Sequence, residues 1–71
     1  MIKTTLEKFG EKVRGERLKQ GLSQEDLASK AGVHRTYIGM IERAEKNITL
    51  ANINKIAKAL GLKLSELLSL D

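Results

Sequence analysis

The stretch SQEDLASKAGVHRTYIGMIER, residues 23–43, decides the fold of this chain. It predicts two short helices joined by a tight turn at Gly32, a residue that adopts a left-handed backbone at little cost. Ser23 is a favourable N-cap for the first helix, and Asp26 stands three residues later, as in a capping box. The second helix is expected over 35–43. The pattern is that of two helices crossing about a turn.

The residue types of these two helices predict which of their sides meet. Helices that cross closely at a steep angle need small or apolar contact residues. The stretch supplies Leu27, Ala28, Ala31, Val33, Ile38 and Ile41. The outward side of the second helix carries Arg35, Thr36, Gly39, Met40 and Arg43. That set suits the major groove of DNA better than a core. His34, which precedes the second helix, is a poorer capping residue than Ser or Asp.

Outside this stretch, the chain predicts three more helices, over about 5–20, 50–60 and 64–70. Apolar residues recur at helical spacing in each of them. Gly10 and Gly15 weaken the first helix, each by roughly 1 kcal/mol relative to Ala. The prediction is therefore an all-α fold with five helices.

The length of the chain indicates one small domain, and its charge is compatible with a polyanionic partner. The chain has 71 residues, which leaves little space for a second domain. We expect a single DNA-binding domain over 1–71, in which 23–43 binds DNA and about 50–70 serves the core and dimerisation. The net charge is +4 and the isoelectric point about 9.6, which permits binding to nucleic acid without requiring it.

Composition gives no support to several other classes of function. With no Cys and a single His, we expect no metal site. No apolar run approaches the roughly 20 residues of a membrane span, and the N-terminus lacks a secretory signal, so a cytoplasmic location is expected. No nucleophile–base constellation or phosphate loop indicates an enzyme, a cofactor or a small-molecule ligand. RNA binding is a weak alternative, because the chain has only one Tyr and one Phe to stack on bases.

Three segments together resemble the Cro/C1-type helix-turn-helix repressors. They are GLSQEDLASKAGV (21–33), RTYIGMIER (35–43) and LANINKIAKALG (50–61), and the resemblance covers roughly residues 6–68. It implies a compact five-helix domain of the lambda-repressor type. The string RTYI-x-x-IER-x-x-x-N-x-TL looks most like the controller proteins of restriction–modification systems.

The resemblance implies roles for matching positions. Arg35 and Thr36 occupy the positions that read bases, and Gln24 helps to hold both a DNA phosphate and the recognition helix. Arg17 and Glu42 match an ion pair that ties the first helix to the third. Relatives of this type usually bind DNA as two-fold dimers, which implies a homodimer on a palindromic operator.

Three positions depart from the pattern of the family. Ala44 stands where relatives often have Gly, so it either strains a left-handed turn or lets the third helix run longer. Gly39 replaces a contacting polar side chain, which allows close approach to DNA or is simply tolerated. Lys63 replaces a Ser that commonly caps the last helix.

The chemistry of the outward residues predicts how they would meet DNA. The guanidinium of Arg35 matches the acceptors of guanine, while Thr36 and Met40 can touch a thymine methyl. The alternatives are an Arg bound to phosphate or solvent, a Thr whose hydroxyl binds phosphate, and a Met that only fills a gap. The expected phosphate contacts are Gln24, Tyr37, Arg43, Lys46 and Asn47, with ordinary structural or solvated side chains as the alternative.

The end of the chain is rich in leucine, which predicts a dimer interface. The candidate residues are Ile53, Leu62, Leu64, Leu67, Leu68 and Leu70. The alternative is that most of them close the core over the first helix, as some must in a domain this small.

The leading hypothesis is a dimeric, sequence-specific regulator of transcription, which represses by blocking RNA polymerase or activates by touching it. The second hypothesis is an antitoxin-like module that binds a partner protein through its C-terminal helices. An enzyme is the least supported class.

Overall fold

The computed structural model describes residues 4–70 and contains five helices and no strand in that range. The helices are α1 (Thr5–Lys19), α2 (Gln24–Ala31), α3 (Arg35–Glu42), α4 (Leu50–Ala59) and α5 (Leu64–Leu67). The predicted all-α, five-helix fold is confirmed. The last helix is a single turn rather than the predicted 64–70. Residues 1–3 and 71, the ends of the predicted domain, lie outside the described residues.

The first four helices begin after residues whose side chains accept hydrogen bonds from exposed backbone N–H groups. Ser23 Oγ accepts from the N–H of Asp26 at 2.9 Å, and the Asp26 carboxylate accepts from the N–H of Ser23 at 3.0 Å, which completes the predicted capping box. Thr49 caps α4, since its Oγ1 accepts the N–H of Asn52 at 3.2 Å. His34 was expected to be a poor capping residue, but it caps α3: its Nδ1 accepts the N–H of Thr36 at 3.1 Å.

The first four helices end in one shared motif, in which a left-handed residue turns the chain and two N–H groups bond back to the helix. In α3, the N–H of Ala44 bonds to the Ile41 carbonyl at 3.0 Å and that of Glu45 to the Met40 carbonyl at 2.8 Å. Ala44 has a φ of 58°, so α3 stops at Glu42 instead of running on. The left-handed residue of the other three helices is Gly21, Gly32 or Gly61.

The helices pack around one apolar core, which sets α3 against α1 and α2. Eleven buried residues form this core: Phe9, Val13, Leu27, Ala28, Ala31, Ile38, Ile41, Ile56, Ala57, Leu60 and Leu67. At Gly10 the backbone of α1 meets the end of α3 so closely that a Cβ would lie 2.5 Å from the Ile41 carbonyl oxygen. No helix among residues 4–70 is long and apolar enough to cross a membrane.

Candidate nucleic-acid interface

A buried polar network holds the inner side of α3 in place. Arg17 Nε donates to Glu42 Oε2 at 2.7 Å, and its Nη2 donates to Glu42 Oε1 at 3.0 Å, so the predicted ion pair is bidentate. Arg17 Nη1 also donates to the Leu22 carbonyl at 2.8 Å. The hydrogen bond and the charge of Glu42 raise the pKa of Arg17 against the opposing effect of burial. α1 and α3 are thereby joined by a charged pair that is almost closed to water.

Gln24 joins this network from the first residue of α2. Its Nε2 donates to Glu42 Oε1 at 3.1 Å, so one carboxylate receives bonds from α1 and from α2. The amide therefore holds the recognition helix, which is one half of the role that the family resemblance implied. Every buried side-chain polar atom among the described residues has a hydrogen-bond partner.

The outer side of α3 presents the residues predicted to read bases. Arg35 and Thr36 are exposed at its first turn. Arg35 Nη1 lies 3.5 Å from Glu25 Oε2, an exposed contact of little energy that DNA can replace. Met40 is only half exposed, on the flank of the same helix.

One open polar depression unites four of the predicted DNA contacts. It has a volume of about 280 Å³ and is lined by Gln24, Arg35, Thr36, Gly39 and Arg43. Gly39 was expected on the outer side of α3 but is buried, because Gln24 and Arg43 close over it.

The remaining predicted phosphate contacts lie apart from the depression. The hydroxyl of Tyr37 accepts from Asn52 Nδ2 at 3.1 Å, which ties α3 to α4. Lys46 Nζ lies 6.0 Å from the centre of the Tyr37 ring, at the edge of cation–π range. Asn47 is exposed but lines a different, apolar groove between α1 and the C-terminal residues.

The predicted dimer residues separate into buried and accessible ones. Leu67 is 0% exposed and belongs to the core, so its assignment to a dimer interface is wrong. Leu62 packs against the core and Leu64 is half-buried. Leu68 is 40% exposed and, together with Ile53 and Leu70, lines the apolar groove. The groove is completed by Thr5, Leu6, Phe9, Asn47 and Ile48.

Comparison with known proteins assigns this geometry to a family. A model described as helix-turn-helix matches residues 13–67, which is most of the chain. The chain belongs to this helix-turn-helix family. It is 54% identical to the control protein C.BamHI of Bacillus amyloliquefaciens over 84% of this chain and 75% of the relative. It is 48% identical to C.SmaI of Serratia marcescens, over 86% and 73% of the two chains.

A solved structure supports the same assignment. The restriction–modification controller protein C.AhdI from Aeromonas hydrophila superposes with a TM-score of 0.85 at 47% identity, covering 87% of this chain and 94% of that chain. The predicted resemblance to controller proteins is therefore confirmed. Within the helix-turn-helix family, this chain belongs with the control proteins.

Sequence reasoning missed three features of the interface. Leu50 belongs to the apolar residues at helical spacing in α4, yet it is 64% exposed. Asn52 bonds to Tyr37, and Glu45 pairs with Arg43. The positions of these residues in the sequence follow no helical periodicity that would have predicted either contact. Gly10 could have been identified, because it falls beside Phe9 and Val13 on the inner side of α1.

Proposed function

We propose that this protein is a sequence-specific regulator of transcription that binds double-stranded DNA as a homodimer, with residues 35–43 in the major groove. One observation carries the proposal: Arg35 and Thr36 project from a helix whose opposite side is fixed by the buried network of Arg17 and Glu42. A rigid helix with polar, exposed first-turn residues is what base reading requires. The likeness to control proteins favours this function over an antitoxin-like module.

The proposed contacts divide into those that read bases and those that bind the backbone. Arg35 binds guanine, and Thr36 and Met40 contact the methyl edge of thymine. Phosphate contacts come from Gln24 at the start of α2 and from Tyr37, Lys46 and Asn47. Phosphate binding supplies most of the affinity and makes it fall with salt.

The apolar groove is the proposed surface for dimerisation. It brings together Ile53, Leu68 and Leu70, and the exposed Leu50 lies one turn from Ile53 on α4. Covering these side chains with a second copy stabilises a domain whose own core is small. Two recognition helices then meet half-sites about one helical turn, roughly 34 Å, apart. The half-buried Leu62 and Leu64 would lie at the edge of this contact.

Regulation would follow from occupancy of the operator. A dimer bound across a promoter blocks RNA polymerase, and a dimer bound beside one can touch the enzyme and recruit it. We place this activity in the cytoplasm, at the nucleoid.

The direct test is selection from a random duplex pool with wild type and with Arg35→Ala, followed by binding measurements at several salt concentrations. The proposal predicts a two-fold symmetric site for wild type and loss of preference in the variant, with about 1–3 kcal/mol less discrimination at one base pair of each half-site. Weak, salt-dependent binding without an enriched sequence would refute it and turn attention to a protein partner.

The oligomeric state is tested separately by sedimentation of wild type, Leu68→Lys and Leu18→Lys. Leu18 is a matched control, because it is also an exposed leucine, 54% accessible, but lies on α1 outside the groove. We expect Leu68→Lys to sediment as a monomer at concentrations where wild type and Leu18→Lys remain dimers. Equal behaviour of all three proteins would exclude the groove as the interface.

A further inference from the structure

The position of Arg43 sets it apart from the other cations near α3. Arg35, Gly39 and Arg43 follow one another at intervals of four residues, so they form a single stripe along the helix. Helical side chains lean toward the N-terminus, and Arg43 accordingly lies back along the helix over Gly39. A Cβ added at Gly39 would be 3.0 Å from Arg43 Nη1 and 3.7 Å from its Cζ. The guanidinium therefore packs against Gly39, in the space that a longer side chain would need.

Glu45 pairs with this guanidinium at its Nε. Its Oε2 lies 3.1 Å from Arg43 Nε, and the hydrogen bond raises the pKa of Arg43. The left-handed turn at Ala44 brings Glu45 back toward the helix, where its N–H bonds to the Met40 carbonyl at 2.8 Å. The carboxylate occupies Nε and leaves the two Nη groups for other acceptors, and Arg43 lines the depression together with Arg35 and Thr36.

We propose that Arg43 is a second base-reading residue, which recognises a guanine in each half-site through its two Nη groups. This inference rests on the proposed function and changes the role that the sequence suggested for Arg43, that of a phosphate contact. Two parallel N–H groups match the O6 and N7 acceptors of guanine. Gly39 is the positioning residue, since a Cβ there would lie 3.0 Å from Arg43 Nη1 and would make the guanidinium shift by a few tenths of an ångström.

The test compares wild type, Arg35→Ala, Arg43→Ala and Arg43→Lys by selection from a random duplex pool. We expect both Arg43 variants to lose preference for one guanine per half-site, at a position different from the one that Arg35→Ala affects. Discrimination at that position should fall about tenfold, which corresponds to 1.4 kcal/mol. Lys46→Ala is the control for a lost phosphate contact, and it should weaken binding equally on all sequences and lower the salt slope by about one.

Gly39→Ala tests the positioning role through a double-mutant comparison. It should lower the same guanine preference in wild type and change nothing further in Arg43→Ala. An Arg43→Ala protein that behaves like Lys46→Ala, with unchanged base preference, would overturn the inference while leaving the proposed function intact. Failure of wild type to enrich any sequence would overturn both.

Discussion

Ala44 is the only residue besides glycine with a positive φ among residues 4–70. A side chain in this conformation costs roughly 1 kcal/mol or more, whereas Gly adopts it freely. We expect Ala44→Gly to raise the free energy of unfolding by about 1 kcal/mol, measured by urea denaturation. The matched control is Ala51→Gly in α4, which should destabilise by up to about 1 kcal/mol. A loss of stability in Ala44→Gly would show that this turn is not left-handed.

Glu42 receives hydrogen bonds from both Arg17 and Gln24, so its loss leaves a buried charge without its partner. We expect Glu42→Ala to lower the free energy of unfolding by about 3 kcal/mol while leaving base preference unchanged. Glu45→Ala removes an exposed carboxylate partner of Arg43 and should cost less than about 1 kcal/mol. Unchanged stability in Glu42→Ala would contradict the structural role of the network.

At the scale of the helix, the two glycines of α1 have different surroundings. A Cβ at Gly10 would meet the carbonyl oxygens of Ile41 and Glu42 at 2.5 and 2.9 Å, whereas one at Gly15 has no neighbour within 4 Å. We therefore expect Gly10→Ala to destabilise by about 1–3 kcal/mol, because α1 must move away from α3. Gly15→Ala should stabilise by up to about 1 kcal/mol through helix propensity. Thermal unfolding measures both variants, and equal shifts of the melting temperature would contradict this explanation of the contact between α1 and α3.

The capping box of α2 makes the stability of this helix sensitive to acid. The N–H of Ser23, and then its hydroxyl, lower the pKa of Asp26 in the folded protein. The stabilisation is complete above the ordinary pKa of an aspartate and is lost as pH falls through the lowered value. In urea unfolding below about pH 5, Asp26→Asn should show a shallower loss of stability than wild type. The control is Glu25→Gln, which removes a neighbouring carboxylate and keeps the capping box. An equally shallow loss of stability in this control would contradict the prediction.

The sequence predicted helices better than side-chain contacts, for physical reasons visible in particular elements. The Ser23 and Asp26 box and the turn at Gly32 are local, so a few residues determine them. The leucines near the end could not be ranked by periodicity, because α5 has only four residues and its short turn buries Leu67 alone. Long side chains such as Glu45 find their partners only once the helix ends have been placed.

At the candidate interface, too, the positions of residues could be predicted from the sequence but their side-chain contacts could not. Arg35 and Thr36 follow from their position at the start of α3, and the structure leaves both exposed. The burial of Gly39 could not be predicted, because it depends on where the ends of Gln24 and Arg43 lie. A helical pattern gives the direction of a side chain but not the conformation of its far end.

For the whole molecule, the fold separates the two surfaces that we propose for DNA reading and for dimerisation. The buried network of Arg17, Gln24 and Glu42 fixes α3 with its polar side outward. The apolar groove beside Leu68 and Leu70 lies where α1 meets the C-terminal residues. Apart from Asn47, which lines the groove and is also a proposed phosphate contact, the surfaces proposed for DNA reading and for dimerisation have different residues, so the proposed variants change one surface at a time.

We propose above all that α3 reads DNA. The most direct test follows the backbone amide signals of the isotope-labelled protein by NMR as the selected duplex is added. The account predicts the largest changes at Gln24 and across 35–43, with smaller ones at Lys46 and Asn47. Changes confined to α4, α5 or the exposed side of α1, with 35–43 unaffected, would contradict it.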